Sequence, residues 1–514
     1  MERHKATVSK IATAVRSFFD RKEPYRIFHG STNSTRPLRR DRFVDISALR
    51  NVLKVDKANR TALVEPNVPM DRLVESTLRH GLIPPVVMEF PGITAGGGYA
   101  GTAGESSSFK HGFFDDTINE VEVVLADGQV VRANRQDKAD LFRGAAGAVG
   151  TLGVTTMLEL QLIEAKKFVK TTYHRTHSVA EAVETARAET LNSDNDYVDG
   201  ILFSKDHGVV ITGKLVDGIP AESRPQTFSG AWDPWFYLHV KDRTAGAASS
   251  AIESLAPAVD WVPLAEYLFR YDRAGFWVGA AAFDYFKYVP FSRFTRWFLD
   301  DFLHTRMLYR ALHGSGESAR FIVQDLALPY ENAERFVDYT ADQFGIWPLW
   351  LCPLKQRAPP TFHPHRGDVV ASNSSRTTTT EPEPEPMLNI GLWGWGPSDR
   401  KEFVAKNRAL EHKLRELGGM KWLYAHTYYT EDEFWQVYDR KWYDELRAKY
   451  GATTLPTVFN KVKVDVDARE GAKSWRQTLK SIPPIGGLYG IWKAIQSKDY
   501  HLHRHAEWKY KGEK

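Results

Sequence analysis

The sequence predicts an α+β protein built in two parts, and three observations carry that prediction. Residues 91–112 read PGITAGGGYAGTAGESSSFKHG, a run of glycines and other small residues with little that is bulky before Phe109. An antiparallel hairpin follows it: a strand over 118–125, an Asp127-Gly128 turn and a return over 130–133. The chain thus doubles back where a parallel fold would cross over. Far downstream, residues 366–387 (RGDVVASNSSRTTTTEPEPEPM) are of low complexity with no apolar period, and read as a disordered insertion in a surface loop.

The elements can be justified in order. Val8, Ile11, Val15 and Phe18 fall on one face of an opening helix. A short strand over 25–28 precedes a polar loop, HGSTNSTRP, and a second strand-like run over 42–49. Residues 51–67 form a hairpin. Residues 69–81 form a helix, with proline near its start and Gly81 as its stop. After the glycine-rich segment and the 118–133 hairpin comes a short packed helix over 137–147. A strand with alternating inward residues follows over 150–163. Beyond the 366–387 tract, a strand over 388–396 leads to a helix over 400–417, stopped by Gly418-Gly419.

Composition bounds the function classes. A chain of 514 residues is long enough for two or more cores. Its net charge of +4 argues against nucleic acid as a partner. The single cysteine, Cys352, excludes an intramolecular disulfide framework and suits a reducing compartment. No run approaches 18 uncharged apolar residues, so no transmembrane helix is predicted. Residues 275–310 interleave aromatics with Lys287, Arg293, Arg296 and Arg306, and two readings stand side by side for them. One is a surface for the bilayer interface; the other is a core with snorkelling arginines. Residues 483–495 are a weaker candidate of the same kind. His501, His503 and His505 lack the carboxylate partners and frame of a metal site, and no metal is predicted.

The glycine-rich segment carries the chemistry. Glycine adds no bulk and permits positive φ, so backbone amides there can approach a ligand closely. Rows of amides suit a diphosphate. Residues 96–101 also match G-x-G-x-x-G, but that pattern should open a helix, and the residues after it lack an apolar period. No crossover helix puts Glu120 at the end of a second parallel strand. The Rossmann reading therefore fails, and the diphosphate reading stays. Gly30 to Ser34 offer hydroxyls and an amide in a second tight turn.

The order of elements, with GTAGESSSFKHGFF, VVLADGQVVRA, FIVQDLALP, WPLWLCPL and YTEDEFWQVYD, resembles the FAD-binding (PCMH-type) flavoproteins of the vanillyl-alcohol-oxidase superfamily, in particular their Δ24-sterol reductase branch. That resemblance implies a two-lobed FAD-binding domain over 1–165 and an α+β substrate-binding (cap) domain over 166–460 that returns toward the flavin. A C-terminal extension over 461–514 follows. Cofactor contacts are then expected from Gly30, Ser31, Thr32, Asn33 and Ser34 in the first loop. The long loop would add Gly92, Thr94, Gly96, Gly97, Gly98, Gly101, Thr102, Gly104, Glu105, Ser106, Ser107 and Gly112, and the closing strand Gly150, Gly153 and Val154. With no cysteine in the long loop and no histidine at 31–34, the FAD is expected to be non-covalent; His29 lies just before the turn. NADPH is the implied electron donor, and the implied substrate is a sterol-like alkene. Candidate proton donors are Tyr424, His426, Tyr428 and the adjacent Tyr429, with Lys110 in the long loop as a further catalytic candidate. An oxidase acting on an alcohol, lactone or phenol, and a flavin-stabilised binding protein without turnover, remain alternative readings. Relatives in the branch carry an N-terminal membrane anchor and this sequence shows none. The expected location is cytoplasmic, or peripheral on the cytosolic face of the endoplasmic reticulum.

Overall fold

The structure, a computed structural model, describes residues 1–30, 42–245, 257–366, 385–464, 466 and 485–512. Two antiparallel sheets organise it. The smaller has five strands, Val52–Asp56, Thr61–Val64, Val154–Gln161, Ile118–Val124 and Val130–Asn134, in that spatial order. Every neighbouring pair in it is antiparallel, so no Rossmann crossover exists there. A separate two-stranded parallel pair joins Arg26–Phe28 to Phe43–Asp45. The opening helix, Glu2–Asp20, buries Val8, Ile11 and Val15. It also buries His4, whose ring lies 2.9 Å from Glu65 Oε1 and 3.0 Å from Glu122 Oε1.

The glycine-rich segment is not a loop throughout. Residues Ala95–Gly101 form a helix despite three successive glycines, each of which costs about 1 kcal/mol relative to alanine in a helix. Capping and packing override that preference. Thr94 caps the helix by accepting from the Gly97 amide. The Ala95 and Gly96 amides donate to the Val68 and Pro66 carbonyls. A Cβ at Gly96 would come within 2.9 Å of the Pro66 carbonyl oxygen, and one at Gly98 within 2.4 Å of Met88 Cε. Only glycine lets the helix lie this close.

The larger sheet has eight strands and contains Phe321–Pro329, Leu349–Leu354 and Met387–Trp395 as adjacent members. The two-residue period of a strand divides its side chains between two faces. Ile322, Leu326, Leu328, Leu351, Leu388, Ile390 and Leu392 pack under the helices Val179–Thr190, Tyr330–Gln343 and Arg400–Glu416. The opposite face presents Phe321, Val323, Asp325, Trp350, Asn389 and Trp393 to a cavity beside the glycine-rich helix. Residues 420–464 then return across that cavity. Trp422 Nε1 donates to the Thr102 carbonyl at 2.8 Å, the Tyr443 hydroxyl to Thr151 at 2.7 Å, and Lys461 Nζ to the Val149 carbonyl at 2.6 Å.

Residues 275–310 prove to be divided. Phe276, Trp277 and Phe283 are buried, whereas Tyr288, Phe291, Phe294 and Phe298 are exposed. Of the 366–387 tract, residues 367–384 lie outside the described residues. His503 stacks on His304 at 3.7 Å and pairs with Asp301. Among the described residues no helix is long and apolar enough to cross a membrane.

Candidate functional site

A cavity of about 460 Å³ lies between the two sheets. On the five-stranded side part of its wall is glycine backbone. Thr94, Gly96, Gly97, Gly98, Gly101, Gly104, Glu105, Gly150 and Gly153 all line it. Gly150 has φ +74° and a Cβ there would meet Ile27 at 2.6 Å; Gly153 would meet the Val124 carbonyl oxygen at 2.7 Å. Opposite stand Asp325, Trp350, Asn389, Trp393, Trp422 and Tyr424. A Cβ on Gly101 would be 3.9 Å from Tyr424, so the glycine wall and the return segment nearly touch there.

The residues named from sequence divide accordingly. Gly92, Thr102, Ser106, Ser107, Gly112 and Val154 are not part of the cavity lining. Several of them hold the segment in place instead. The Ser107 hydroxyl donates to the Pro85 carbonyl, Ser106 accepts from the Val198 amide through its carbonyl, and Gly112 takes φ +77° against Asp116. Gly30, at φ +76°, is likewise outside the lining, although His29 is within it. Burial and nearby Lys461 hold the His29 imidazole below its ordinary pKa. Ser31, Thr32, Asn33 and Ser34 lie outside the described residues.

Four of the five catalytic candidates are away from the cavity, and this corrects the sequence reading. Tyr428 packs with Phe403 in the helix-side core, because its amide is anchored to the buried Glu411 carboxylate. The His426 carbonyl is bound by Lys421 and Gln324, and the residue does not line the cavity. Lys110 pairs with Asp196 at 2.8 Å on a partly exposed surface. Tyr424 alone of the five reaches the cavity wall.

Tyr424 there meets a residue that sequence did not single out for chemistry. Its hydroxyl donates to Asp325 Oδ2, and Asn389 Nδ2 donates to Asp325 Oδ1 at 3.0 Å. Gly391, across the strand from Asp325, leaves room for the carboxyl. A Cβ there would be 3.2 Å from Asp325 Oδ1 and 2.8 Å from the Trp393 ring. Burial pushes the Asp325 carboxyl up to about 7, against the pull of its hydrogen bonds. The available signal was an acidic residue at an inward strand position of FIVQDLALP, but which face points inward depends on what the sheet packs against.

A second buried network lies behind the cavity. Arg270 Nη2 is 2.9 Å from both Glu89 Oε1 and Asp199 Oδ2, and the guanidinium stacks on Tyr267. Tyr271 and Trp350 also donate to Asp199. Glu89 and Glu105 line the cavity. Burial holds both carboxyls above the ordinary range against the pull of Arg270, with the charge of Asp199 adding to it at Glu89 and that of Glu89 adding to it at Glu105.

The lining fits a flavin dinucleotide, though not by the means that sequence implied. The first amides of the glycine helix are engaged within the protein, by Val68, Pro66 and Thr94. The glycine surface supplies room for a flat ligand, and Arg26 and Lys461 in the same lining supply positive charge for a diphosphate. Lys461 Nζ is 3.7 Å from a Cβ built at Gly150.

Comparison with known proteins bears directly on this wall. The family described as "FAD binding domain" matches residues 5–134. Beyond that match, the chain is similar to curated proteins named Delta(24)-sterol reductase. The one from Macaca fascicularis is 28% identical over 424 residues, covering 80% of this chain and 76% of that protein. The one from Arabidopsis thaliana is 26% identical over 466 residues, covering 85% and 80%. A Cytokinin dehydrogenase 4 from Oryza sativa subsp. japonica is 26% identical over 140 residues, 27% of this chain. The reductase likeness therefore extends well past residues 5–134, into the eight-stranded sheet.

Proposed function

We propose that this chain is an FAD-dependent oxidoreductase that uses NADPH to reduce a carbon–carbon double bond in a sterol-like, largely apolar substrate. The observation that carries the reading is the Asp325–Tyr424 pair, which sets a proton-bearing carboxyl into an otherwise aromatic wall facing the FAD-binding domain. The length of the likeness to Delta(24)-sterol reductases supports it.

The chemistry that FAD supplies when bound is hydride transfer between a nicotinamide and an alkene carbon. The chain's own residues deal with the proton and the water. Reduction of an alkene needs an acid at the second carbon, within hydrogen-bond reach. Asp325 holds a proton near neutral pH; when that proton turns toward the Tyr424 oxygen, the hydroxyl gives its own proton into the cavity and takes the one from Asp325, which becomes a carboxylate. Asn389 steadies that carboxylate through Oδ1. Trp350, Trp393 and Trp422 exclude water and bury hydrocarbon.

Exposed Tyr288, Phe294 and Phe298, with Arg293 on the same segment, support peripheral association with a membrane on that side. Lipid-dissolved substrate would be nearby at the cytosolic face of the endoplasmic reticulum. The test is anaerobic. The purified protein should carry FAD, NADPH should bleach it under argon, and a Δ24-sterol such as desmosterol should restore the colour with formation of the saturated product by mass. Bleaching by an alcohol, with rapid recolouring in air and no alkene reduction, would move the protein to the oxidase class.

A further inference from the structure

A second cavity of about 190 Å³ lies beside the first, and Val278, Leu308, Leu312 and Phe321 line both. Its floor and sides are the helices Val278–Tyr285 and Thr305–Ser315; its roof is the helix Ile485–Ser497, through Gly487 and Ile491. The roof is seated at backbone distance. A Cβ at Gly490 would be 2.3 Å from the Ala311 carbonyl oxygen, and one at Gly487 would be 2.5 Å from the Tyr285 and Phe286 rings. The helix therefore forms one wall of this cleft as a built part of the fold.

The chemistry of the second cavity is hydrocarbon. Tyr285, Ser315 and Glu317 are among the polar residues on it, and each is occupied elsewhere. The Tyr285 hydroxyl accepts from the Gly487 amide, the Ser315 hydroxyl donates to the Leu312 carbonyl, and Glu317 accepts from Arg320 at 3.2 Å. The lining is otherwise almost wholly apolar, which suits hydrocarbon better than an anion or a sugar. The first cavity, of about 460 Å³, would hold the flavin ring as well as the reacting bond.

We infer that the second cavity is a binding subsite for the part of the apolar substrate remote from the reacting double bond, with the shared wall at Leu308 and Phe321 as the passage between the two. The roof helix is also the side from which hydrocarbon would arrive. Its outer surface exposes Leu488 at 57% and Trp492 at 48%, and Phe298, beside lining residue Leu299, is 71% exposed. The inference rests on the proposed class of substrate but not on the proposed reaction, so binding and turnover test the two separately.

The experiment uses the full-length protein with its FAD and measures binding of the fluorescent sterol dehydroergosterol beside that of 2-methyl-2-heptene, a short alkene with no ring system. Ala282→Trp fills the second cavity from its floor, and Ile491→Trp fills it from the roof. Each should weaken the sterol at least tenfold more than it weakens the short alkene, with flavin content and Tm near wild type. Two variants from opposite walls guard against one of them misfolding. Equal weakening of both ligands, no weakening of the sterol, or no sterol binding by the wild-type protein would each overturn the subsite. Sterol binding that obeys this pattern, without any reduction of alkene by NADPH, would sustain the subsite and remove the reductase reading.

Discussion

Replacing Asp325 with asparagine should make the protein more stable and less active at once. The side chain is buried, with Asn389 donating to one oxygen and Tyr424 to the other. Asparagine keeps the shape and can answer both neighbours, but it neither titrates nor carries charge. The carboxyl is held at about 7 against an ordinary 3.8. At about 1.4 kcal/mol per tenfold change in proton affinity, ionising it inside the fold costs about 4 kcal/mol. The folded carboxyl binds its proton more tightly than the unfolded one. Its contribution is therefore fully favourable below the unfolded value and is lost as pH rises toward 7. Wild-type stability should fall across that window, and Asp325→Asn should lack the slope. By denaturant unfolding, the advantage of the variant at pH 8 should exceed its advantage at pH 5 by about 3 kcal/mol. Alkene reduction should fall about 10²- to 10⁴-fold while bleaching of the flavin by NADPH is retained. The wild-type rate should decline above pH 7 as the acid is lost. A variant that reduces the alkene at the wild-type rate, or one that is no more stable at pH 8 than at pH 5 relative to wild type, would refute the assignment of this carboxyl as the proton store.

Three further outcomes are expected. Acid precipitation should release all the flavin to the supernatant, since the 91–112 segment has no cysteine and Cys352 is buried; a flavin peptide in the pellet, mapped to His29, would overturn this. Gly96→Ala should lower both Tm and flavin content, because its Cβ meets the backbone of Pro66 at 2.9 Å. Gly101→Ala meets only Tyr424 at 3.9 Å and should leave Tm intact while weakening flavin retention; the reverse pattern would show that Gly101 is away from the ligand. His4, raised to about 9 by Glu122 and Glu65, stabilises the fold fully below its ordinary 6.5, and that contribution disappears as pH rises through about 9. His4→Gln should remove up to about 3 kcal/mol at pH 6 and far less at pH 10, which chemical denaturation at the two pH values will show.

Local sequence determined the elements whose cause is local. The face made by Val8, Ile11 and Val15 specifies a helix, Asp127-Gly128 specifies a hairpin, and Gly418-Gly419 ends the helix Arg400–Glu416, because period and turn chemistry act over a few residues. The likeness of the FAD-binding domain was legible for the same reason, in a contiguous run of motifs. What the sequence could not decide was set by contacts far apart in the chain. Three glycines became a helix because Pro66, Val68, Met88 and Phe114 close around them. Tyr428 and His426 were read as facing the site, yet Glu411, Lys421 and Gln324 hold that stretch against the helix-side core and leave Tyr424 at the cavity. Asp325 became an acid through burial and through partners at 389 and 424, neither visible from its neighbours in sequence. A strand's alternation says that two faces exist, and only the packing of one sheet against another decides which of them meets the substrate.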